Sequence, residues 1–370
     1  MKTFFYVGTY TQPIRFGTGE VLEGKGLGIY CVSLDHSTGT ARVEHVNTSV
    51  PNPSFLCCRP GLEVLWAVSE LKDYGGMVSG AVSALRVDRN TRELTLINTV
   101  PTMGADPCYV SMEPESGLLF TANYSSGSLT VFPVNEDGSL CPHSQVIRRA
   151  GSGPDAGRQE GPHIHCAVPL PGLKRVMACD LGTDRICEYP VSPGVPRLFA
   201  DQAPEIAVAP GSGPRHIAVS DDCSACYVTL ELSSEILVLV REKSGWTPIQ
   251  TVDSYCKARS GGSEPANLCA DIHLSPDGRF LYCSNRGRDC ISAFLVGPDR
   301  TLSHLADYPA NGRTPRSFCL DPAGDYLLCA NQDSDSVSVF CRNRDDGSLT
   351  PRGMLDIPTP VNVLALPQFS

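Results

Sequence analysis

The sequence predicts an all-β fold, a seven-bladed β-propeller. Three observations carry this. A repeat of 45–55 residues runs the whole length, the composition is rich in turn formers, and the last repeat stops after one strand. The repeat starts at Pro53 (PSFLCC), Pro107 (PCYVSM), Pro162 (PHIHCA), Pro214 (PRHIAV), Cys269 (CADIHL), Pro315 (PRSFCL) and Pro360 (PVNVLAL), at intervals of 54, 55, 52, 55, 46 and 45 residues. Such a period is that of propeller blades, each a four-stranded antiparallel sheet.

Each unit reads as strand, turn, strand, loop, strand, turn, strand. The first turn is SPDG (275–278), DPAG (321–324) or EPESG (113–117). The third is DHSTG (35–39), EDGS (136–139) or DDGS (345–348). Tight antiparallel turns call for these Asp-Gly and Pro-containing tetrads. The truncated seventh unit needs three more strands. Tyr6–Tyr10 has the pattern of a second strand and Gly28–Leu34 that of a third, so N-terminal strands are expected to pair with the C-terminal one and close the ring. Closure removes exposed sheet edges. It also makes residues 1–370 one propeller domain, although length alone suggests two or three domains. Tandem β-sandwiches would need a seam in composition, and none is found. The GH…WD signature of WD repeats is absent.

Composition narrows the function. There are 34 Gly and 30 Pro, a share above the usual ~12 %, which excludes a helix bundle. Charged residues are 19 % and hydrophobic ones 41 %, which argues against disorder. A net charge of −10 disfavours nucleic acid or an anionic membrane as partner. No apolar run approaches the ~18 residues of a membrane span, and the N-terminal MKTFFYVGTYTQP lacks the features of a secretory signal. The 17 Cys are odd in number and scattered, unlike a disulfide framework. Most, such as Cys31, Cys283 and Cys329, sit where strands take Val or Ala. A cytoplasmic protein, monomer or homodimer, is expected.

Antiparallel pairing puts the start of each first strand and the end of each second strand on one rim. The second-strand ends give Thr9-Tyr10, Ser69-Glu70, Asn123-Tyr124, Asp180-Leu181, Leu230-Glu231, Asn285-Arg286 and Asn331-Gln332. The first-strand starts add His163, His165, Arg215, His216, Asp271 and Arg316. Binding residues concentrate on such strand ends. Loop capping explains most of Ser69, Asn123, Asn285 and Asn331. It explains Glu231, Arg286, Arg215 and His165 less well, since capping does not call for Arg or Glu.

In RQEGPHIH (158–165) two His lie two apart and share a face if extended. They suit proton transfer, a metal half-site or polar packing. Asp180, Glu231, Asp271 and His273 are the further ligands a metal would need, but no second spaced pair supports one. Cys223-x-x-Cys226 is a lone pair across a turn and weak evidence for zinc or redox chemistry. No Walker loop and no Gly-x-Ser-x-Gly elbow occurs. No metal and no cofactor is expected.

The segments YVGTYT (6–11), ANYSSGSLTVF (122–132), RQEGPHIH (158–165), DLGTDRI (180–186), GPRH (213–216), HLSPDGRFLYCSNRG (273–287) and ANQDSDSVSVF (330–340) resemble the seven-bladed lactonase family, from end to end of the chain. That family includes propeller-type 6-phosphogluconolactonase and carboxymuconate-lactonizing enzyme. The resemblance implies a site at the channel mouth built from a His, two Arg and a Glu. The matching positions are His163 or His165, Arg215, Glu231 and Arg286. Two departures stand out: Leu230 replaces an Asn before Glu231, and Thr11–Gly26 and Lys72–Gly80 are inserted Gly-rich rim loops.

The resemblance thus implies hydrolysis of a small anionic lactone. His165, with Glu231, is expected to activate water, while Arg215 and Arg286 hold the lactone carbonyl or the substrate anion. Arg158, Tyr10, Glu70, Asn123, Tyr124, Asp180, His216, Asp271, Asn285, Arg316 and Gln332 are expected to bind substrate. Two other readings keep the fold: ring closure of a muconate-type dicarboxylate in the same site, and a non-enzymatic propeller, which would show an apolar patch on one rim.

Overall fold

A computed structural model of the chain describes residues 2–15, 19–59, 61–257 and 266–367. Seven four-stranded antiparallel sheets form a propeller. The first joins the two ends of the described chain. Pro360–Ala365 is its inner strand, followed outward by Lys2–Thr9, Ile29–Asp35 and Thr40–Asn47. The inner strands of the others are Leu56–Cys58, Pro107–Glu113, Ile164–Leu170, Pro214–Val219, Leu268–Leu274 and Pro315–Leu320. Each packs on the next around the channel, and Leu56–Cys58 touches both Pro107–Glu113 and Pro360–Ala365, which closes the circle.

The core is distributed between the sheets rather than pooled. Seven apolar clusters each fill one sheet-to-sheet interface. The cysteines serve here as small apolar residues: Cys166, Cys179, Cys223 and Cys226 pack between the fourth and fifth sheets, and Cys269 and Cys283 between the fifth and sixth. All 17 are free thiols. Cys223 and Cys226 face Pro171 and Met177 of the neighbouring sheet rather than each other.

The first turns form as their sequence requires. The Gly278 and Gly324 N–H groups donate to the carbonyls of Ser275 and Asp321, with φ of +66° and +74°, where a Cβ is disfavoured. The two inserted loops carry small hairpins, Ile14–Arg15 with Val21–Leu22 and Asp73–Tyr74 with Met77–Val78. Positions 16–18 of the first lie outside the described residues.

Candidate active site

Two repeated backbone features aim side chains at the upper channel. The first is a hydrogen bond just past the second strand. The N–H groups of Tyr10, Glu70, Tyr124, Leu181, Glu231 and Gln332 donate to the carbonyls of Thr359, Asn52, Asp106, His163, Gly213 and Thr314. In six of the seven sheets one residue is thereby tied to the entry of its own inner strand.

The second is a β-bulge at the start of that inner strand. Pairing with the second strand slips between Pro107 and Tyr109, Ile164 and Cys166, Pro214 and Ile217, Cys269 and Ile272, and Pro315 and Ser317. The slip frees Cys108, His165, Arg215, His216, Asp271 and Arg316 from the regular inward–outward alternation. Bulges re-aim side chains in this way beside functional sites. Cys108, His165 and Arg316 line the channel cavity, and Arg215 and His216 line its floor.

The cavity measures about 280 Å³. On one side, three guanidiniums surround Glu231. Arg158 Nη2 lies 2.6 Å from Oε1, and Arg215 Nε and Arg286 Nη2 lie 2.8 and 2.9 Å from Oε2. Burial by itself would raise the Glu231 pKa, but Arg286, Arg158 and Arg215 outweigh it and hold the carboxylate well below its usual range. Burial also brings Arg286 down to about 10, against the pull of Glu231. Three cations thus share one anion, leaving an excess of positive charge at the wall.

His165 faces the same cavity. Burial, then the nearby Arg215 and His216, push its pKa well below the usual imidazole range, so the ring is neutral at pH 7. Its Nδ1 lies 3.7 Å from Cys108 Sγ, and Tyr124 meets it edge-on at 5.5 Å between ring centroids. Three blades round the ring from Glu231 stands Glu70, which accepts a hydrogen bond from Tyr10 Oη at 3.1 Å. The Arg316 guanidinium sits over the Tyr10 ring, 5.7 Å from its centroid. Burial pushes Glu70 and neighbouring Asp106 upward in pKa.

This geometry agrees with sequence relationships along the whole chain. Residues 4–365 match the family model described as lactonase, 7-bladed beta-propeller. The chain belongs to the seven-bladed lactonase family. It is 32 % identical to a 6-phosphogluconolactonase of Bacillus subtilis, covering 99 % of both chains. Over 93 % of this chain and 94 % of the relative, it is 31 % identical to a 6-phosphogluconolactonase of Formosa agariphila. Among solved structures it is similar to a putative 6-phosphogluconolactonase of Bacteroides fragilis, with 34 % identity, a TM-score of 0.86 and coverage of 99 % and 98 %. A periplasmic gluconolactonase of Pseudomonas aeruginosa superposes with a TM-score of 0.87 at 31 % identity, covering 99 % of each chain.

Within this lactonase fold, the sequence-derived candidates divide. Glu70, Tyr124, Arg158, His165, Glu231, Arg286, Arg316 and Gln332 line the cavity, and Arg215 and His216 its floor. His163 does not reach it. Its ring stacks on Tyr124 at 4.4 Å and its Nδ1 lies 3.0 Å from the Tyr124 carbonyl, so of the two neighbouring imidazoles only His165 is placed to act. Asp180 accepts the His163 backbone N–H and faces Arg149, so it organises the loop behind the wall.

Asn123 and Asn285 are loop braces rather than cavity residues. Asn123 Nδ2 reaches Ser128 and Thr130, and Asn285 reaches Ser254 and Ser292. A Cβ at Gly104 would lie 2.6 Å from Asn123 Nδ2, so that brace depends on a glycine beside it. Tyr10 acts through Glu70, and Asp271 lies below the cavity against His216 and His273.

The three guanidiniums around Glu231 make it a poor proton acceptor, which weighs against its expected share with His165 in activating water. Its place among those guanidiniums equally removes it as a metal ligand. Sequence reading missed Cys108 and Asp106, both on the cavity wall. Cys108 occupies the bulge position of its sheet, the place held by His165, Arg215 and Arg316 in theirs, and that correspondence is the signal for it. The inserted loop contributes Arg15 and Glu20 to the rim.

Proposed function

We propose that this protein hydrolyses a sugar-type lactone carrying a negative charge, of the 6-phosphogluconolactone class. The observation that carries the reading is the convergence of neutral His165 with the Arg158–Arg215–Arg286 group on one cavity. The names of the Bacillus and Formosa relatives support the same chemistry.

In this reading Arg286 and Arg158, at the cavity surface, hold the substrate anion. Arg forks suit phosphate and carboxylate oxygens and stay charged. His165 takes a proton from water as its oxygen attacks the lactone carbonyl. The carbonyl oxygen gains negative charge facing the guanidinium wall. The acyl–oxygen bond then breaks, the ring oxygen takes a proton, and the new acid loses one, so each turnover consumes one water and yields a carboxylate and a proton. Glu231 keeps the three guanidiniums in register. Water and side chains suffice, with no cofactor. The seventeen free thiols favour a reducing compartment such as the cytoplasm.

A pH-stat assay on a panel of phosphorylated and neutral lactones and muconates, with and without EDTA, tests this after subtraction of spontaneous ring opening. Acid release from phosphorylated lactones that survives EDTA is expected. Turnover of muconates alone would support ring closure instead, and no turnover of any member would overturn the reading.

A further inference from the structure

The floor of the cavity is closed by aromatic rings. Phe55 and Tyr109 lie 4.1 Å apart, and the His216 ring meets both edge-on at 5.8 and 5.3 Å. Above this plug, a chamber of about 10 Å³ is lined by both His165 and His216, near the smallest space that takes one water. The His165 and His216 rings are 5.2 Å apart.

His216 is 4 % exposed, and its Nε2 is a buried polar atom without a hydrogen-bond partner among the described residues. Its other nitrogen, Nδ1, lies 2.9 Å from Asp271 Oδ1. The second oxygen of Asp271 lies 3.3 Å from His273 Nε2. His273 sits below the bulge of the inner strand, level with Tyr282 on the second strand and four residues from Arg286 at the rim, about 13 Å further down the channel. Its side chain is 39 % exposed. A line of polar groups therefore crosses a plug made otherwise of Phe and Tyr rings.

We propose that His216, Asp271 and His273 form a proton relay from the cavity to solvent at the other end of the channel. The proposal rests on the hydrolytic reading, in which each turnover yields one proton. With substrate over the cavity mouth, that proton leaves through the floor. It passes from His165 through a water in the chamber to His216 Nε2, while the Nδ1 proton moves to Asp271. Asp271 passes a proton to His273 Nε2, and His273 loses one to solvent. One proton enters and one leaves; His216 and His273 are left as the opposite tautomers, and a tautomer shift in each ring precedes the next turnover. The geometry suits this role: Asp271 fixes the tautomer with Nδ1–H, which leaves Nε2 as the acceptor toward the chamber. His216, Asp271 and His273 do not touch substrate and act through His165.

The test uses His273→Gln, a change at a half-exposed side chain outside the cavity. In weakly buffered solution kcat is expected to fall roughly tenfold with KM unchanged, less than the hundredfold or more of a directly acting acid or base. Tens of millimolar imidazole should restore it, after subtraction of spontaneous hydrolysis at each concentration. His216→Gln should show the same loss without rescue, because the plug bars imidazole from that position. A His273→Gln kcat equal to wild type at low buffer would overturn the relay. So would a loss that imidazole does not alter. Wild-type activity in the same assay separates failure of the relay from failure of the lactonase reading.

Discussion

Two carboxylates, Glu70 and Glu231, occupy the same repeat position, one residue past a second strand, yet their environments drive them apart. Glu231 lies among three guanidiniums and is held ionised. Burial dominates at Glu70, where the cation contribution comes from Arg316, and its pKa rises. The backbone fixes where each points, through the same hydrogen bond to the preceding loop. What each can do is set by which residues the neighbouring bulges turn inward. One fold position thus yields an electrostatic anchor on one wall and a protonatable acid on the other.

The sharpest way to break this comparison is to neutralise each carboxylate in turn. Glu231→Gln leaves three guanidiniums without their shared counter-charge. It is expected to cost about 3–5 kcal/mol of stability in denaturant titrations and to lower kcat/KM by roughly a thousandfold. Glu70→Gln should act with the opposite sign on stability. A carboxylate whose folded pKa is raised favours the fold while protonated, and that contribution is lost as pH rises through the folded value. Glu70→Gln is therefore expected to leave the protein as stable as wild type, or more so, at pH 7. Equal destabilisation by both variants would erase the distinction between the walls.

Arg286→Ala comes next in size. It should reduce kcat/KM for a phosphorylated lactone by roughly a hundredfold, and far less for a neutral one. Equal losses in steady-state kinetics would remove the anchoring role of that wall. His165→Gln is expected to lower kcat by about a hundredfold with little change in KM.

Acid should weaken the floor before it reaches the ordinary carboxylates. Burial, then Arg215, outweighs the hydrogen bond that His216 donates to Asp271 and lowers the His216 pKa to about 4, and His165 is lowered too. The unfolded chain then binds protons first, so stability is full above an unfolded imidazole pKa near ~6.5 and declines as pH falls below it. His216 alone accounts for a decline on the order of 3 kcal/mol by pH ~4. Denaturant midpoints that stay level from neutrality down to the carboxylate range would contradict this. The smallest effect belongs to Tyr10→Phe, which removes the hydroxyl from Glu70 and should cost about 1 kcal/mol.

Much of this was legible in the residues because the repeat is written in strong local signals. Turn tetrads such as SPDG and DPAG mark each hairpin, and antiparallel pairing then places Glu231, Arg286 and Arg215 on one rim without further information. What remained hidden depends on departures from strand alternation. His163 and His165 share a face only if the strand is regular; the slip between Ile164 and Cys166 sends His165 to the cavity and leaves His163 behind Tyr124. Asn123 and Asn285 turn back to Ser128 and Ser292, as loop capping leads one to expect, and not to the cavity where substrate contacts are also expected of them. Cys108 gives no signal of its own in the sequence, because a thiol carries no charge to set it apart from the strand-filling cysteines. The role of Glu231 also escaped, since it follows from Arg158, a residue 73 positions away.

The account turns on the guanidinium wall holding the anionic end of the substrate while His165 faces the carbonyl. A crystal structure with 6-phosphogluconate bound tests that directly. The phosphate is expected against Arg286 and Arg158, and the product carboxylate within one water of His165. A phosphate seated away from these arginines, with His165 out of reach of the carboxylate, would contradict it.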